Sequence, residues 1–227
     1  MVPTAGATWA RSLSGATDDA PIMLITHQKM ALVVIDAQRA FVDRDGSLAR
    51  TYGIDEVQPG VAALRRLRGF IAERRATGPT IFVRSEYRPG QFTNGELGHE
   101  MAYVCVPGKN IDCEWAAGVD VLPHDVVVTK HEADAGESAA FRDAIEQAIR
   151  DGAGRIVMVG FQFTTCVAAS AASTCEMVRR RGVRVAVIEG LTGSRASSHV
   201  PEASGVSRIE STRRYLETVG VEMVSEV

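Results

Sequence analysis

The chain has 227 residues, 45% of them hydrophobic and 23% charged, and a formal net charge of -3. That is enough for one large α/β domain with a full core, while the mixed charge offers no footprint for nucleic acid or for an anionic membrane. The expected partner is a small-molecule substrate. With no basic leader followed by an apolar stretch, and no apolar run near the ~20 residues a membrane span needs, a cytoplasmic location is expected.

Residues 1–28 are rich in Ala, Thr, Ser, Gly and Asp and read as a loosely ordered extension. Residues 29–227 read as the folded domain. MALVVID (30–36) is an apolar run suited to a strand buried on both faces. Residues 57–78 carry Val61, Leu64, Leu67 and Ile71 at helical spacing, with Gly78 as a stop signal. TIFVRS (80–85) and DVVVTK (125–130) predict two more strands, and Ala139 to Arg150 a helix. A fourth strand is expected in RIVMVG (155–160), then a helix from Cys166 to Arg181, and a fifth strand in VRVAVIEG (183–190). A last helix over 204–219 and an edge strand in VEMV (221–224) complete the pattern. Strands alternating with helices predict a mostly parallel sheet covered on both faces.

Cys105, Cys113, Cys166 and Cys175 are expected to stay reduced in a chain of this kind. Cys105 and Cys113 would make half a zinc site, but no second pair stands at ligand spacing and the histidines are scattered, so no metal is expected. Cys175 lies about half a helical turn round from Cys166 and reads as inert core. Arg179, Arg180 and Arg181 read as solvated cations near a helix end.

In such a sheet the working residues stand beyond the carboxyl ends of the strands. Asp36 closes the first strand, Lys130 the third, and Cys166 follows the fourth. Taken singly, each has a structural reading as a turn acid, a solvated strand end or a small core filler. Together they can form a nucleophilic unit in which Asp36 accepts the thiol proton and Lys130 supports both anions. Cys166 also stands at a helix start, where unpaired N–H groups and the dipole favour a thiolate.

Three motifs in order carry a resemblance to the isochorismatase-like hydrolases: ALVVIDAQRAFVD with Asp36, Gln38 and Phe41, VVVTKHEADAGESAAF with Lys130, and VMVGFQFTTCVAASAAS with Cys166. The resemblance covers about residues 29–227. It implies a three-layer αβα fold with a mostly parallel six-stranded sheet, an Asp36, Lys130, Cys166 triad, and no cofactor. It also implies a cis peptide between Phe161 and Gln162, an oxyanion hole from the N–H groups of Gln162 and Cys166, and a homo-oligomer. Metal-dependent nicotinamidases of that superfamily carry Asp-x-His after the second strand, and this sequence has Glu86 and Arg88 there. A metal-free amidohydrolase acting on a small amide, lactam or ureido substrate is therefore expected. A vinyl-ether hydrolase using Asp36 as acid, or a non-catalytic ligand-binding member of the fold, is the alternative. The 86–122 segment is longer than an ordinary loop and is the expected substrate wall. Phe41, Tyr87, Trp115 and Phe161 are the expected substrate-binding residues, whereas His99 and His131 read equally well as surface groups.

Overall fold

In the computed structural model, which describes residues 29–74 and 79–225, the run Met-Ala-Leu-Val-Val-Ile forms β1 (Met30–Ile35), buried at every position. A continuous apolar run fits a strand covered on both faces. β2 (Thr80–Ser85), β3 (Val126–Lys130), β4 (Arg155–Phe161), β5 (Arg184–Gly193) and β6 (Glu222–Val224) complete a six-stranded sheet in the order β3-β2-β1-β4-β5-β6. Every neighbouring pair is parallel. The extension expected over 1–28 lies outside the described residues.

The helices are α1 (Arg39–Val42), α2 (Ser47–Tyr52), α3 (Ile54–Arg74), α4 (Ala139–Arg150), α5 (Ala168–Val178) and α6 (Arg208–Val219). Side chains alternate across a strand, so β1 feeds two cores. Leu32 and Val34 pack on one face with Leu64, Leu67 and Ile71 of α3. Val33 and Ile35 pack on the other with Phe141 and Ile145 of α4, Ala171 of α5 and Leu216 of α6. The result is three layers, αβα. Among the described residues no helix is long and apolar enough to cross a membrane.

Several boundaries differ from the sequence expectation for local reasons. α3 begins at Ile54 rather than 57, with Asp55 and Glu56 in its first turn, where acids favour the dipole. α6 begins at Arg208 rather than 204, because the Ser207 hydroxyl accepts the Glu210 N–H at 3.2 Å as a cap. The helix expected from Cys166 to Arg181 is a π-helical turn, Phe163–Val167, leading into α5. Arg179, Arg180 and Arg181 lie exposed beyond its end.

From β1 the chain moves outward through β2 to β3, then returns to the other side of β1 as β4. The reversal point lies between β1 and β4, and open α/β sheets form their ligand crevice at the carboxyl ends of the strands beside such a point.

Candidate active site

Parallel register brings the candidate residues to one edge. Ile35 is level with Val83 and with Gly160, and Ser85 with Lys130. Asp36, the next residue after β1, adopts a left-handed φ of 50° and donates its N–H to Val83 O at 2.8 Å. Gly160 has φ 114°, and a Cβ there would stand 2.0 Å from Ile35 O. Only glycine lets β4 approach β1 at this level. The Phe161–Gln162 peptide is cis. The π-helical turn that follows holds Cys166, and the Val167 N–H donates to Gln162 O at 3.1 Å. The Gln162 N–H itself donates to no group among the described residues.

Asp36 and Lys130 are wholly buried and form an ion pair, Nζ to Oδ2 3.0 Å. The ammonium also donates to Ser85 Oγ at 2.8 Å, Tyr87 Oη at 2.9 Å and Glu132 O at 3.1 Å. Ser85 Oγ lies 2.8 Å from Asp36 Oδ1 and 2.7 Å from Tyr87 Oη. It has one proton and serves one of them at a time. Tyr87 Oη reaches the Cys166 sulfur at 3.8 Å, so its own proton can point to Ser85 or to the sulfur. Gln38 holds the end of β2 in place: its amide accepts from Ser85 N–H at 2.7 Å and donates to Ser85 O at 3.1 Å.

Burial acts against the Lys130 charge, but attraction to Asp36 outweighs it and raises the pKa well above the ordinary lysine value. Lys130 therefore remains an ammonium. Burial and then the charges near Cys166 and Asp36 push the Tyr87 pKa up, so its hydroxyl keeps its proton. The Cys166 thiol corrects a sequence expectation. Burial first, then the Asp36 carboxylate, raise its pKa, and the opposing pull of Lys130 and the Tyr87 hydrogen bond does not reverse the direction. Position at a helix start alone suggests a thiolate; desolvation beside a carboxylate keeps the proton on sulfur.

A cavity of about 280 Å³ opens above this network, near the lower end of the range for small-molecule sites. Cys166, Gln162, Phe41 and Tyr87 line it. Trp115 and Phe161 do not, which corrects their assignment. Trp115 forms a β-bridge with Gln38 and packs edge-to-face on Phe82 at 5.7 Å, because the 86–122 segment folds back onto the strand-end loop. Phe161 is fully buried, turned toward Gly193 and Gly60. The long segment is a wall only in part, contributing Tyr87, Phe92, Met101 and Val104. The buried Asp112 carboxylate anchors it by accepting the N–H groups of Ser47 and Cys105 at 3.0 and 3.2 Å. His99 caps a short 3-10 turn and His131 bonds Glu86 O, both on the exposed surface. Cys175 is half-buried rather than deep core, with its thiol donating to Val219 O at 3.3 Å. Sequence reasoning missed Ser85, Arg195 and Arg208; the two arginines follow β5 and border the same cavity.

Metal donors do not converge. Glu86 is paired with Arg84 at 2.6 Å, Arg88 is exposed, and no group of three or more His, Cys, Asp or Glu among the described residues is placed to hold an ion.

An Asp, a Lys and a Cys at or just beyond the carboxyl ends of β1, β3 and β4 meet a match to the isochorismatase domain family model over residues 30–209. The chain belongs to the isochorismatase family. No curated protein sequence matches it. Its fold is shared with N-carbamoylsarcosine amidase from Thermoplasma acidophilum, at TM-score 0.63 and 21% identity, covering 86% of this chain and 95% of that one. It is shared too with the Pyrococcus horikoshii pyrazinamidase solved in complex with zinc, at TM-score 0.62 and 19% identity over 87% and 99%. An isochorismatase family protein from Desulfovibrio vulgaris gives TM-score 0.62 and 20% identity over 87% and 94%. The family is one of hydrolases, and its structural neighbours include amidases.

Proposed function

We propose that this isochorismatase-family chain hydrolyses the carbon–nitrogen bond of a small amide, lactam or ureido substrate through an acyl-enzyme on Cys166. The observation that carries the reading is the position of Cys166. It is the one cysteine lining the cavity among the described residues, and it lies under the influence of the buried Asp36–Lys130 pair.

The thiol is protonated at rest, so attack needs a base. Asp36 takes the proton as sulfur adds to the carbonyl carbon. Its Oδ2, although paired with Lys130, accepts no well-aligned hydrogen bond among the described residues. The oxyanion that forms is held by the N–H groups of Gln162 and Cys166; the free Gln162 N–H supports that role. As the C–N bond breaks, Asp36 returns the proton to the leaving nitrogen. Water then adds to the thioester carbon, giving a proton to Asp36; the C–S bond breaks, the acid departs, and the proton returns to sulfur. Lys130 stays charged throughout and holds the carboxylate in line.

Cys166→Ala tests this. On a panel of small primary amides and ureido compounds, it is expected to lower turnover by about three orders of magnitude or more while leaving the melting temperature near that of the wild type. Near-normal turnover of that panel by Cys166→Ala would show that sulfur is not the nucleophile and that Asp36 works without it.

A further inference from the structure

The base and the cavity are separated by two hydroxyls. Asp36, Lys130 and Ser85 are wholly buried and none of them borders the cavity, whereas Cys166 and Tyr87 do. Asp36 is near enough to raise the Cys166 pKa, but the aligned contacts of the sulfur are with Tyr87 Oη at 3.8 Å and Thr165 Oγ1 at 4.0 Å. Asp36 Oδ2 faces the Lys130 ammonium at 3.0 Å and accepts no aligned hydrogen bond. Its Oδ1 meets the Ser85 hydroxyl at 2.8 Å, and Ser85 Oγ in turn lies 2.7 Å from Tyr87 Oη. Lys130 donates to both hydroxyl oxygens, at 2.8 and 2.9 Å. An ammonium has no lone pair to offer in return, so each hydroxyl must send its own proton elsewhere. The carboxylate is the strongest acceptor within reach of Ser85, which therefore donates to Asp36 Oδ1. Ser85 Oγ keeps a lone pair for the Tyr87 proton, and Tyr87 Oη keeps one for the thiol.

We propose that Tyr87 is the group that trades protons with the reacting atoms, and that Ser85 joins it to Asp36 as a relay. The inference deepens the acyl-enzyme reading and rests on it. As sulfur attacks, the S–H electron pair stays on sulfur and becomes the C–S bond. The thiol proton passes to Tyr87 Oη, the Tyr87 proton to Ser85 Oγ and the Ser85 proton to Asp36 Oδ1. Three protons each shift one place, and neither hydroxyl is left charged. The proton that Tyr87 receives lies between its oxygen and the sulfur, where it steadies the forming thiolate. When the C–N bond breaks, the chain runs backward: Tyr87 protonates the leaving nitrogen, and Asp36 restores the Tyr87 proton through Ser85. Asp36 remains the store of the proton, but Tyr87, which borders the cavity, is what the substrate meets.

The test uses the full-length protein and p-nitrophenyl acetate, whose departing nitrophenolate needs no proton, so that only the thiol proton has to move. First-turnover release of nitrophenolate is followed for the wild type, Ser85→Ala, Tyr87→Phe and the double variant, and mass spectrometry places the acetyl group. Each single substitution is expected to slow acetylation of Cys166 at least about tenfold, since positioned proton transfer typically contributes more than that. The double variant should be no more than about threefold slower than the slower single one, because a chain cut at one link loses little at the next. In mixtures of light and heavy water, the wild-type rate should bow more deeply with deuterium content than that of either variant, because two hydroxyl protons move with the thiol's. A residue that only packs would leave this curve unchanged. A loss under about tenfold in Ser85→Ala, losses that multiply in the double variant, or an equal bow in all proteins would each overturn the relay. Should Ser85→Ala fail to fold, Tyr87→Phe decides by the same rate and the same curve. Wild-type protein that is not acetylated at Cys166 removes the acyl-enzyme reading and the relay with it. Acetylation of Cys166 that is indifferent to both substitutions removes the relay alone.

Discussion

Tyr87 touches both the Lys130 ammonium and the Cys166 sulfur, so one hydroxyl reports on the whole network. Its proton is retained, and its hydrogen bond is one of the influences that lower the Cys166 pKa against burial. Removing it should raise that pKa further. Tyr87→Phe is therefore expected to move the pH profile of iodoacetamide reaction at Cys166 upward. Reaction at fixed neutral pH should slow accordingly. A profile that stays in place or moves down would mean that the tyrosine only fills space. Asp36, Lys130 and Cys166 were legible in the sequence because each stands at the carboxyl end of a recognisable strand. Ser85 was not, because its hydroxyl matters only once the register sets it level with Lys130. The direction of the thiol's pKa was likewise hidden, since it depends on burial and not on chain position.

At the scale of elements, the junction of β1 with β4 sets where Asp36 and Cys166 meet. Gly160 makes that junction possible, with φ 114° and no room for a side chain against Ile35 O. Gly160→Ala combines a backbone penalty of about 1–3 kcal/mol with overpacking of similar size. It is expected to destabilise the protein by about 3 kcal/mol and to lower activity more steeply than stability alone accounts for, since the strands part beside the site. Urea unfolding and turnover on the same preparation measure both. A variant as stable as the wild type would show that the strands can separate here without cost. Element types were readable from the β-branched runs and helical spacing, and boundaries erred where side-chain caps decide, as at Ser207. Trp115 and Phe161 were misplaced for one shared reason. An aromatic residue near a strand end can face the crevice or the core, and only the fold-back of the 86–122 segment and the packing against Gly60 and Gly193 decide between them.

At the scale of the whole molecule, buried proton-holding groups set the alkaline limit. Burial, as the largest cause, raises the pKa values of Cys105, Cys166 and Cys175, and takes Cys113 to about 11. A group whose pKa is higher in the folded state gives its full stabilisation below the unfolded value and loses it as pH rises toward the folded one. Unfolded thiols ionise near pH ~8.5, so above that the folded chain holds more protons than the unfolded chain and stability falls. Thermal unfolding under reducing conditions is expected to give a level melting temperature from about pH 6 to 8 and a decline above about pH 9. A rise over the alkaline range would contradict the buried thiols. The parallel sheet and the crevice beside β1 and β4 follow from strand–helix alternation, and both could be read before any coordinates. The two arginines that share the cavity with Cys166 could not, because Arg195 stands in an aperiodic turn beyond β5 and Arg208 at the first residue of α6, and only the packed fold brings both to Cys166. The central claim, that Cys166 carries the substrate's acyl group, is tested most directly by rapid acid quench and intact-protein mass spectrometry during turnover of an amide. The account expects a transient mass gain equal to the substrate less its leaving amine, confined to the peptide bearing Cys166 and absent from Cys166→Ala. Turnover with no adduct at any time, together with undiminished turnover by Cys166→Ala, would contradict it.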